Sequence, residues 1–414
     1  MCRLLLQITI VLALGYAWLM PFSCATSIVK VRCDEDVEFF CMVTQKLDIK
    51  ERVHFDFVSA DKWNNTKVFK IISQNHITSI PTGIFQRFPH LIKVYVRTGL
   101  NSIRKEDFEG ADNVLRLDLE YNNIESIAAD LFSDLKRLED IYLSYNQLKN
   151  IESNAFYGLD NLHRIELSNN SLTAITTNMF CGLNNLMELI LNNNRIELIE
   201  DEALNLPKLK KLILTNNRIH SLSDSTFSHS PQLQWIDVNE NGLRNIAKSL
   251  YDLRKLERLQ LEDNKIDDIE MDSLGRLPSL TSLKLRNSGF KVTNLNTELH
   301  VKYNSVIHLD LAKNWIEVTD ILQRLKNFVN LEVLLLDENN LTDIDGIEKV
   351  WSIFPKIQHV AITRNKLTCD RVEEIYESHK NNSKFLIEVF MPRLPQILLH
   401  ENKNEKKVHG VVCL

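Results

Sequence analysis

One phrase of eight residues recurs almost unchanged across residues 114–197, and it constrains the fold more than any other feature of the chain. It has the form L-x-L-x-x-N-x-L, as in Leu117-Asp-Leu119-Glu-Tyr-Asn122-Asn-Ile124. An apolar residue stands three positions before each phrase, and these repeat starts fall 24 residues apart, at Val114, Leu138, Leu162 and Leu186. The apolar positions of each repeat are therefore 1, 4, 6 and 11. A single repeat cannot bury them, so they form a core only when repeats stack.

A fixed period of this length is typical of a leucine-rich-repeat solenoid, so we expect an α/β horseshoe with a parallel sheet on its concave face and caps at both ends. We place thirteen repeats, which start at Lys67, Leu91, Val114, Leu138, Leu162, Leu186, Leu209, Leu233, Leu256, Leu280, Val306, Leu331 and Ile357. In the first repeat, Lys67 and Lys70 occupy positions that leucine usually holds. The predicted domains are a signal peptide over 1–25, an N-terminal cap over 26–66, repeats over 67–368, and a C-terminal cap and tail over 369–414.

Position 9 of the repeat is asparagine at Asn122, Asn146, Asn170, Asn194, Asn217, Asn241, Asn264, Asn314, Asn339 and Asn365. We expect each amide to bond backbone groups that lose their strand partners where the chain turns. The repeat at Leu280 has Ser288 at this position and Gly289 after it, which indicates a bend or a seam.

The spacing of repeat starts is 23 or 24 residues as far as Leu280, and then lengthens to 25 or 26. The longer repeats have apolar residues at helical spacing, at Val318, Ile321, Leu322, Leu325, Ile347, Val350, Trp351 and Phe354. We therefore expect short helices on the outer wall near the C-terminus. After the last repeat, Asp370 is the expected N-cap of a further helix.

Residues 1–25 have one charge, Arg3, then an apolar run from Leu4 to Met20 and small residues near Ala25. This pattern predicts a secretory signal peptide, with an uncleaved membrane anchor as the alternative. No second run of 18 apolar residues follows, so we expect an extracellular protein. The formal net charge of −6, without a basic cluster, argues against nucleic acid and anionic membranes as partners.

Five of the seven cysteines follow the predicted signal peptide. Cys33 and Cys41 precede the repeats, while Cys369 and Cys413 follow them, so we expect one disulfide at each end, with free buried thiols as the alternative. Cys181 stands alone on the outer wall of the fifth repeat. It is either a small thiol that is at least half-buried or the link of a covalent dimer.

No known catalytic, phosphate-binding or metal-binding motif occurs in the sequence, so we expect neither an enzyme nor a cofactor or metal site. The segment Asp343-Ile-Asp345-Gly346 is interpreted as a turn, because a calcium loop would need an acidic residue or asparagine where Leu341 stands. Four sequons are acceptors for N-linked glycans if they are exposed during secretion: Asn64, Asn169, Asn340 and Asn381.

Repeat positions 3, 5, 7 and 8 should project from the concave face, and most of them are polar. The exceptions form two groups that we propose as ligand-binding residues: Tyr95, Tyr121, Tyr142 and Tyr145 in repeats two to four, and Ile190, Ile213 and Trp235 in repeats six to eight. Aromatic residues on a rigid surface are common anchors of protein interfaces. Asn169 lies between the groups, and a glycan there would confine a partner to one side.

Several motifs together resemble the secreted leucine-rich-repeat immune proteins of mosquitoes. They are the signal peptide, the Cys33-x7-Cys41 cap, the stretch from Thr66 to Pro81, the 24-residue repeats and the ending Asn365-Lys-Leu-Thr-Cys369-Asp-Arg-Val. Long members of that family dimerise through a coiled coil and hold complement-like thioester proteins. This chain lacks the adjacent cysteine pair and the coiled coil and is similar to a short member.

The resemblance implies a secreted binding protein of innate immunity that engages a protein or glycan, possible partners including a complement-like thioester protein. The alternative from another class is a structural or adhesion protein of the extracellular matrix or cell surface, similar to small leucine-rich proteoglycans.

Overall fold

The structure is a computed structural model that describes residues 27–31, 40–43, 47–49, 53–57, 65–72, 76–267, 269, 271–274, 277–295, 302–379, 386–388, 407–408 and 411–412. The predicted signal peptide, Cys33, Asn64, Asn381 and Cys413 lie outside the described residues.

The strands of the described residues are β1 Ser27–Val31, β2 Phe40–Val43, β3 Asp48–Ile49, β4 Val53–Phe57, β5 Val68–Ile72, β6 His76–Ile77, β7 Lys93–Arg97, β8 Arg116–Asp118, β9 Ser126–Ile127, β10 Asp140–Tyr142, β11 Asn150–Ile151, β12 Arg164–Glu166, β13 Ala174–Ile175, β14 Glu188–Ile190, β15 Leu198–Ile199, β16 Lys211–Ile213, β17 Trp235–Asp237, β18 Arg258–Gln260, β19 Ser282–Lys284, β20 His308–Asp310, β21 Val333–Leu335, β22 His359–Ala361, β23 Leu386–Glu388, β24 Lys407–Val408 and β25 Val411–Val412. The helices are α1 Ile84–Arg87, α2 Met271–Leu274, α3 Ile321–Arg324, α4 Val350–Ile353 and α5 Cys369–His379, with 3₁₀ turns at Lys105–Phe108, Lys248–Asp252, Val292–Asn294 and Ile347–Lys349.

One sheet runs the length of the array and contains fifteen of these strands, in the order β2-β5-β7-β8-β10-β12-β14-β16-β17-β18-β19-β20-β21-β22-β23. Its strands pair in parallel, and each repeat contributes one of them, from β5 to β22. Strands β2 and β23 extend the sheet into the two end segments. The prediction of a leucine-rich-repeat solenoid is therefore confirmed.

The core follows the repeat positions that the sequence marks as apolar. Leu117, Ile141, Ile165 and Leu189 are in register on consecutive strands, and each is 0% exposed. Burying a side chain of this kind stabilises the fold by about 1.5–3 kcal/mol. Behind the sheet, Phe108, Phe132, Phe156 and Phe180 stack at centroid distances of 5.4, 5.8 and 6.0 Å and fill the space below the outer wall.

The first repeat lies one residue away from its predicted register. Strand β5 pairs Phe69 with Val94 and Ile71 with Val96, so the repeat starts at the buried Thr66 rather than at Lys67. A shift of one residue exchanges the two faces of a strand. The assignment of Lys67 and Lys70 to leucine positions is therefore wrong, and Lys70 instead projects from the concave face beside Tyr95.

The helices predicted in the longer repeats are present as α3 and as a 3₁₀ turn that leads into α4. Their core-facing residues Ile321, Leu322, Ile347 and Val350 are each 0% exposed. Helix α5 begins at Cys369, two residues earlier than an N-cap at Asp370 predicts, so Asp370 lies in its first turn. The cap is Thr368, whose hydroxyl accepts a hydrogen bond of 3.3 Å from the backbone N–H of Arg371.

The asparagines at position 9 join each repeat to the one before it. The Asn146 Nδ2 donates to the carbonyls of Leu143 at 3.0 Å and Leu119 at 2.9 Å, and its Oδ1 accepts from the backbone N–H of Ile124 at 3.0 Å. The same links are made by Asn122, Asn170, Asn194, Asn217, Asn241, Asn264, Asn314, Asn339 and Asn365. The predicted role of these amides is confirmed.

This ladder is interrupted at Ser288. Its hydroxyl donates to the Leu285 carbonyl at 2.7 Å, but the link to the preceding repeat comes from its backbone carbonyl, which accepts from Ile266 N–H at 2.7 Å. Gly289 follows with a φ of +82°, and a Cβ there would lie 2.9 Å from the Ile266 oxygen. The two repeats approach so closely at this point that only glycine fits.

Position 8 has a left-handed backbone conformation in every repeat from the third to the thirteenth. The residues are Tyr121, Tyr145, Asn169, Asn193, Asn216, Glu240, Asp263, Asn287, Lys313, Glu338 and Arg364, with φ between +48° and +57°. Asparagine and aspartate tolerate this conformation better than other non-glycine residues. The two tyrosines are therefore held in an unfavourable backbone conformation at the edge of the concave face.

Candidate binding surface

A ladder of alternating cations and aromatic rings crosses the concave face of the first five repeats. Its five members come from five consecutive strands, β5 to β12: Lys70, Tyr95, Arg116, Tyr142 and Arg164. The Tyr95 ring centroid lies 5.9 Å from both the Lys70 Nζ and the Arg116 Cζ. The Tyr142 centroid lies 4.1 Å from the Arg116 Cζ and 5.7 Å from the Arg164 Cζ.

The other two tyrosines of this group form a stacked pair beside the ladder. The rings of Tyr121 and Tyr145 are 4.5 Å apart with an interplanar angle of 7°, and Arg97 lies 5.5 Å from the Tyr121 centroid. The two residues are 54% and 47% exposed, which leaves a flat aromatic surface in contact with solvent. The structure therefore brings together all four tyrosines that the sequence groups in repeats two to four.

Most guanidinium groups here are held by carboxylates. Arg97 bonds the buried carboxylate of Asp118 and lies 2.7 Å from Glu120. Burial, and then the Asp118 carboxylate, raises the pKa of Glu120. Arg164 donates to Glu188 at 2.7 Å and to Glu166 at 2.8 Å.

Arg116 differs from its neighbours because, among the described residues, its guanidinium forms no ion pair. It packs between the rings of Tyr95 and Tyr142, and its Nε is buried without a hydrogen-bond partner. Asp140 stands at the same register on the next strand but does not bond it. A guanidinium fixed between two rings retains terminal N–H donors for a ligand carboxylate or carbonyl.

A cleft of about 600 Å³ adjoins the ladder. It is lined by Lys70, Ile72, His76, Tyr95, Arg97, Thr98, Gly99, Tyr121 and Asn123. Half-buried aromatic walls with a few cationic donors suit an inserted side chain of a partner.

The second predicted group is not continuous with the first. Trp235 lies between two cations, with the Lys211 Nζ 4.4 Å and the Arg258 Cζ 5.1 Å from its ring. Ile213 is half-buried, and Ile190 is only 6% exposed, so it offers little surface to a ligand. The ion pairs of Arg164 with Glu166 and Glu188 separate Trp235 from the tyrosines.

The cationic partners were missed by sequence reasoning, which searched the concave positions only for apolar exceptions. Arg116 and Arg164 stand at position 3 of the repeats before and after Tyr142 at position 5. Because the three residues lie on neighbouring strands, this offset places each guanidinium beside the Tyr142 ring. The repeat numbering alone is a signal for this arrangement.

The remaining candidate residues lie away from this surface. Cys41 and Cys369 are both disulfide-bonded, but their partners are not among the described residues, so the pairing stays a prediction. Cys181 is a free thiol and is exposed, so the expectation of a thiol at least half-buried is wrong. It lies on the outer wall, where no neighbouring repeat covers it.

The segment interpreted as a turn is confirmed as one, with Asp345 and Gly346 in the turn. Its carboxylates make internal bonds, since Asp343 accepts from Arg371 at 2.6 Å and Asp345 from Thr319 at 2.8 Å. No cluster of metal-ligand side chains occurs in the part of the chain that the structure describes. Across those same residues, no helix has the length and apolar character needed to cross a bilayer.

The leucine-rich-repeat family model matches residues 96–148, 136–196, 184–243 and 237–290. No curated protein sequence matches the chain. Among solved structures, a leucine-rich-repeat protein of Leptospira interrogans has a TM-score of 0.58 at 20% identity, covering 79% of this chain and 91% of the other.

Two further structures contain receptors or immune proteins. The TLR13–ssRNA13 complex gives a TM-score of 0.57 at 19% identity, and the match covers 81% of this chain but only 57% of the receptor chain. The LRIM1/APL1C complex of mosquitoes gives 0.53 at 17% identity, covering 93% of this chain and 71% of the other. Likeness at such low identity shows the fold alone. Together with the repeat match and the asparagine ladder, it shows that the fold is a leucine-rich-repeat solenoid.

Proposed function

We propose that this protein is a secreted, non-enzymatic recognition protein of innate immunity, and that it engages an extracellular ligand through the concave face of repeats one to five. The observation that carries the proposal is the ladder of Lys70, Tyr95, Arg116, Tyr142 and Arg164. Tyrosine and arginine are enriched among the residues that dominate binding energy at protein interfaces. A rigid sheet presents them without a cost of ordering loops.

Charge balance favours a protein ligand over a polyanion. Positions 3, 5 and 7 of strands β5 to β14 include five basic residues, Lys70, Lys93, Arg97, Arg116 and Arg164. The same positions include five acidic residues, Asp118, Glu120, Asp140, Glu166 and Glu188. A surface without net charge does not attract RNA or a sulfated glycan by counterion release. It suits a polypeptide that has charges of both signs.

The structural relatives are consistent with this function. TLR13 is seen with single-stranded RNA and LRIM1 with APL1C, so solenoids of this kind engage macromolecules. A complement-like thioester protein is the first candidate partner that the mosquito resemblance suggests.

The test compares variants of the secreted protein in binding to the natural partner purified from body fluid. We expect Tyr142→Ala to weaken binding by about 2 kcal/mol, because it removes the ring that holds Arg116. Trp235→Ala tests the second group, and Lys136→Ala on the outer wall is the control. Unchanged affinity in both concave variants, with circular dichroism intact, would move the site to an edge or the outer wall.

The alternative, a structural protein of the extracellular matrix, predicts a different location and a different control of expression for this protein. Constitutive deposition in matrix, without induction by microbial challenge, would favour a structural role. Induced expression and free circulation would favour recognition.

A covalent dimer linked through Cys181 is the alternative to a monomer. Its exposed thiol permits a disulfide with a second copy. A dimer on non-reducing gels that disappears in Cys181→Ser would establish that link, and a monomeric wild-type band would exclude it.

A further inference from the structure

The row of residues at position 8 places Asn169 at the end of the exposed tyrosine stack. Tyr121, Tyr145 and Asn169 occupy this position in repeats three, four and five, with φ values of 57°, 56° and 55°. Their backbones are linked through adjacent repeats: Tyr121 N–H donates to Ser144 at 3.1 Å, and Tyr145 N–H donates to Ser168 at 3.0 Å. The three residues are therefore successive members of one row.

The stack runs along the solenoid axis, because its two rings come from the same position of successive repeats. One face of the Tyr145 ring contacts Tyr121 at a centroid distance of 4.5 Å. The opposite face is directed toward the fifth repeat, where the next member of the row is Asn169, about one strand spacing of 4.8 Å farther along. Tyr145 remains 47% exposed, so part of its ring is accessible to solvent beside the fifth repeat.

Asn169 can carry a group that covers the neighbouring Tyr145 ring. It begins the sequon Asn169-Asn170-Ser171. Its side-chain amide makes no hydrogen bond to any described residue, and Asn169 is half-buried rather than enclosed. Other asparagines of the row differ, since Asn216 Nδ2 donates to the Asn193 side chain at 2.8 Å. Neither of these two residues begins a sequon.

We propose that Asn169 carries an N-linked glycan whose first N-acetylglucosamine packs on the open face of Tyr145. The inference rests on the secreted location in the proposed function, because the donor is a lipid-pyrophosphate-linked oligosaccharide of the secretory pathway. In that transfer the Asn169 Nδ2 loses a proton and forms a bond to the anomeric carbon of the sugar. The bond from that carbon to the pyrophosphate oxygen breaks, and the lipid pyrophosphate leaves.

The packing follows from the shape of the two groups. A pyranose ring presents a face of C–H groups, which complements the electron-rich face of a tyrosine ring. The sugar would replace water on an aromatic surface that is otherwise costly to expose. It would also close the C-terminal end of the tyrosine surface, so that a partner of the Arg116 ladder approaches from repeats one to four.

The experiment uses the full chain secreted from insect cells, without any binding partner. Enzymatic release of N-glycans in heavy-oxygen water, followed by peptide mass spectrometry, measures occupancy at Asn169. Ser171→Ala removes this sequon without altering Asn169, whereas Thr342→Ala removes the sequon at Asn340 and is the matched control. Nitration of Tyr145 is measured in each protein relative to Tyr157, which is 57% exposed on the outer wall.

We expect Asn169 to be occupied in the wild type, and nitration of Tyr145 to rise several-fold in Ser171→Ala but not in Thr342→Ala. An unmodified Asn169 in the secreted protein would overturn the site. An occupied Asn169 with equal nitration in wild type and Ser171→Ala would overturn the packing on Tyr145. Neither result depends on a ligand, so failure here is distinct from failure of the proposed binding function.

Discussion

The two halves of the concave face have the same scaffold but differ in the side chains that project from it. In repeats one to five the projecting side chains include tyrosine rings that pack on cations, with Arg116 between Tyr95 and Tyr142 and, among the described residues, without an ion pair. In repeats ten to thirteen, positions 3, 5, 7 and 8 have no tyrosine or tryptophan, and they mix small side chains such as Ala312 and Ala361 with charges of both signs. Core leucines and ladder asparagines are alike in both halves. Function must therefore be sought at positions 3, 5, 7 and 8, which the scaffold does not use.

Charges in the C-terminal half are bonded to each other. Arg286 donates to Glu338 at 2.6 Å across two repeats, and Arg364 donates to the same carboxylate at 3.1 Å. The small side chain of Ala312 lies between them in the sheet and leaves room for this contact. Because these groups satisfy one another, less binding capacity is left for a ligand than around Arg116.

The largest expected effect tests whether the scaffold is the same in both halves. Asn146→Ala and Asn339→Ala should each lower the free energy of unfolding by about 1–3 kcal/mol, because each removes hydrogen bonds to two ladder carbonyls and leaves at least one buried backbone N–H without its acceptor. Urea denaturation followed by circular dichroism measures the loss.

Ser288→Ala provides the comparison within the ladder. It removes one hydrogen bond and should cost about 0.5–1.5 kcal/mol. If Asn339→Ala were no more costly than Ser288→Ala, the two halves would differ in scaffold as well as in surface.

The second effect concerns the two kinds of concave arginine. Arg116→Gln should weaken binding of the purified natural partner about tenfold, the equivalent of about 1.4 kcal/mol, because it removes the unpaired guanidinium. Arg286→Gln removes the same charge from the C-terminal half, where the guanidinium already bonds Glu338, and should leave affinity unchanged. Biolayer interferometry can compare both with wild type. Equal losses would show that the partner covers the whole concave face.

The fold could be predicted from sequence because the repeat encodes it redundantly. Each leucine position recurs in nearly every repeat, so an error in one repeat has no effect on the assignment of the others. The first repeat lacked that support: Thr66 is buried at position 1 although threonine gives no hydrophobic signal, and the register was misplaced by one residue.

The candidate surface was only partly predictable. The tyrosines were visible as exceptions to a polar face, whereas the burial of Ile190 depends on the curvature and on neighbouring side chains. The left-handed backbone at position 8 was also missed. Asparagine at several of those positions was a signal for it, but Tyr121, Glu240 and Lys313 obscured the pattern.

A third, smaller effect comes from that backbone conformation. Lys313→Asn should stabilise the protein by about 0.5–1 kcal/mol, because asparagine adopts the left-handed region at lower cost than lysine. Tyr145→Asn gains the same amount but loses the ring stack with Tyr121, worth about 0.5–1.5 kcal/mol. Thermal unfolding should therefore show a gain only for the first. Lys356→Asn, at an exposed position without a positive φ, is the control and should be neutral.

The smallest expected effect is the pH dependence of stability that comes from two carboxylates of the C-terminal half. Burial, and then the neighbouring Asp337, raises the pKa of Asp310 above its ordinary value. The folded state therefore holds a proton that the unfolded state releases at lower pH, and this contribution to stability is lost as the pH rises through the folded-state pKa. Asp310→Asn should raise stability at pH 7, since the amide oxygen can still accept from Ala312 N–H, and the gain should shrink at pH values below about 4.

Glu338→Gln should have the opposite effect and lower stability at pH 7. The hydrogen bond from Arg286 lowers the pKa of Glu338, so the cost of the substitution is present at pH 7 and disappears as the carboxylate is protonated. Urea midpoints measured at several pH values for both variants test the pair. Parallel curves for wild type and Asp310→Asn would show that burial of the Asp310 carboxylate does not make stability depend on pH.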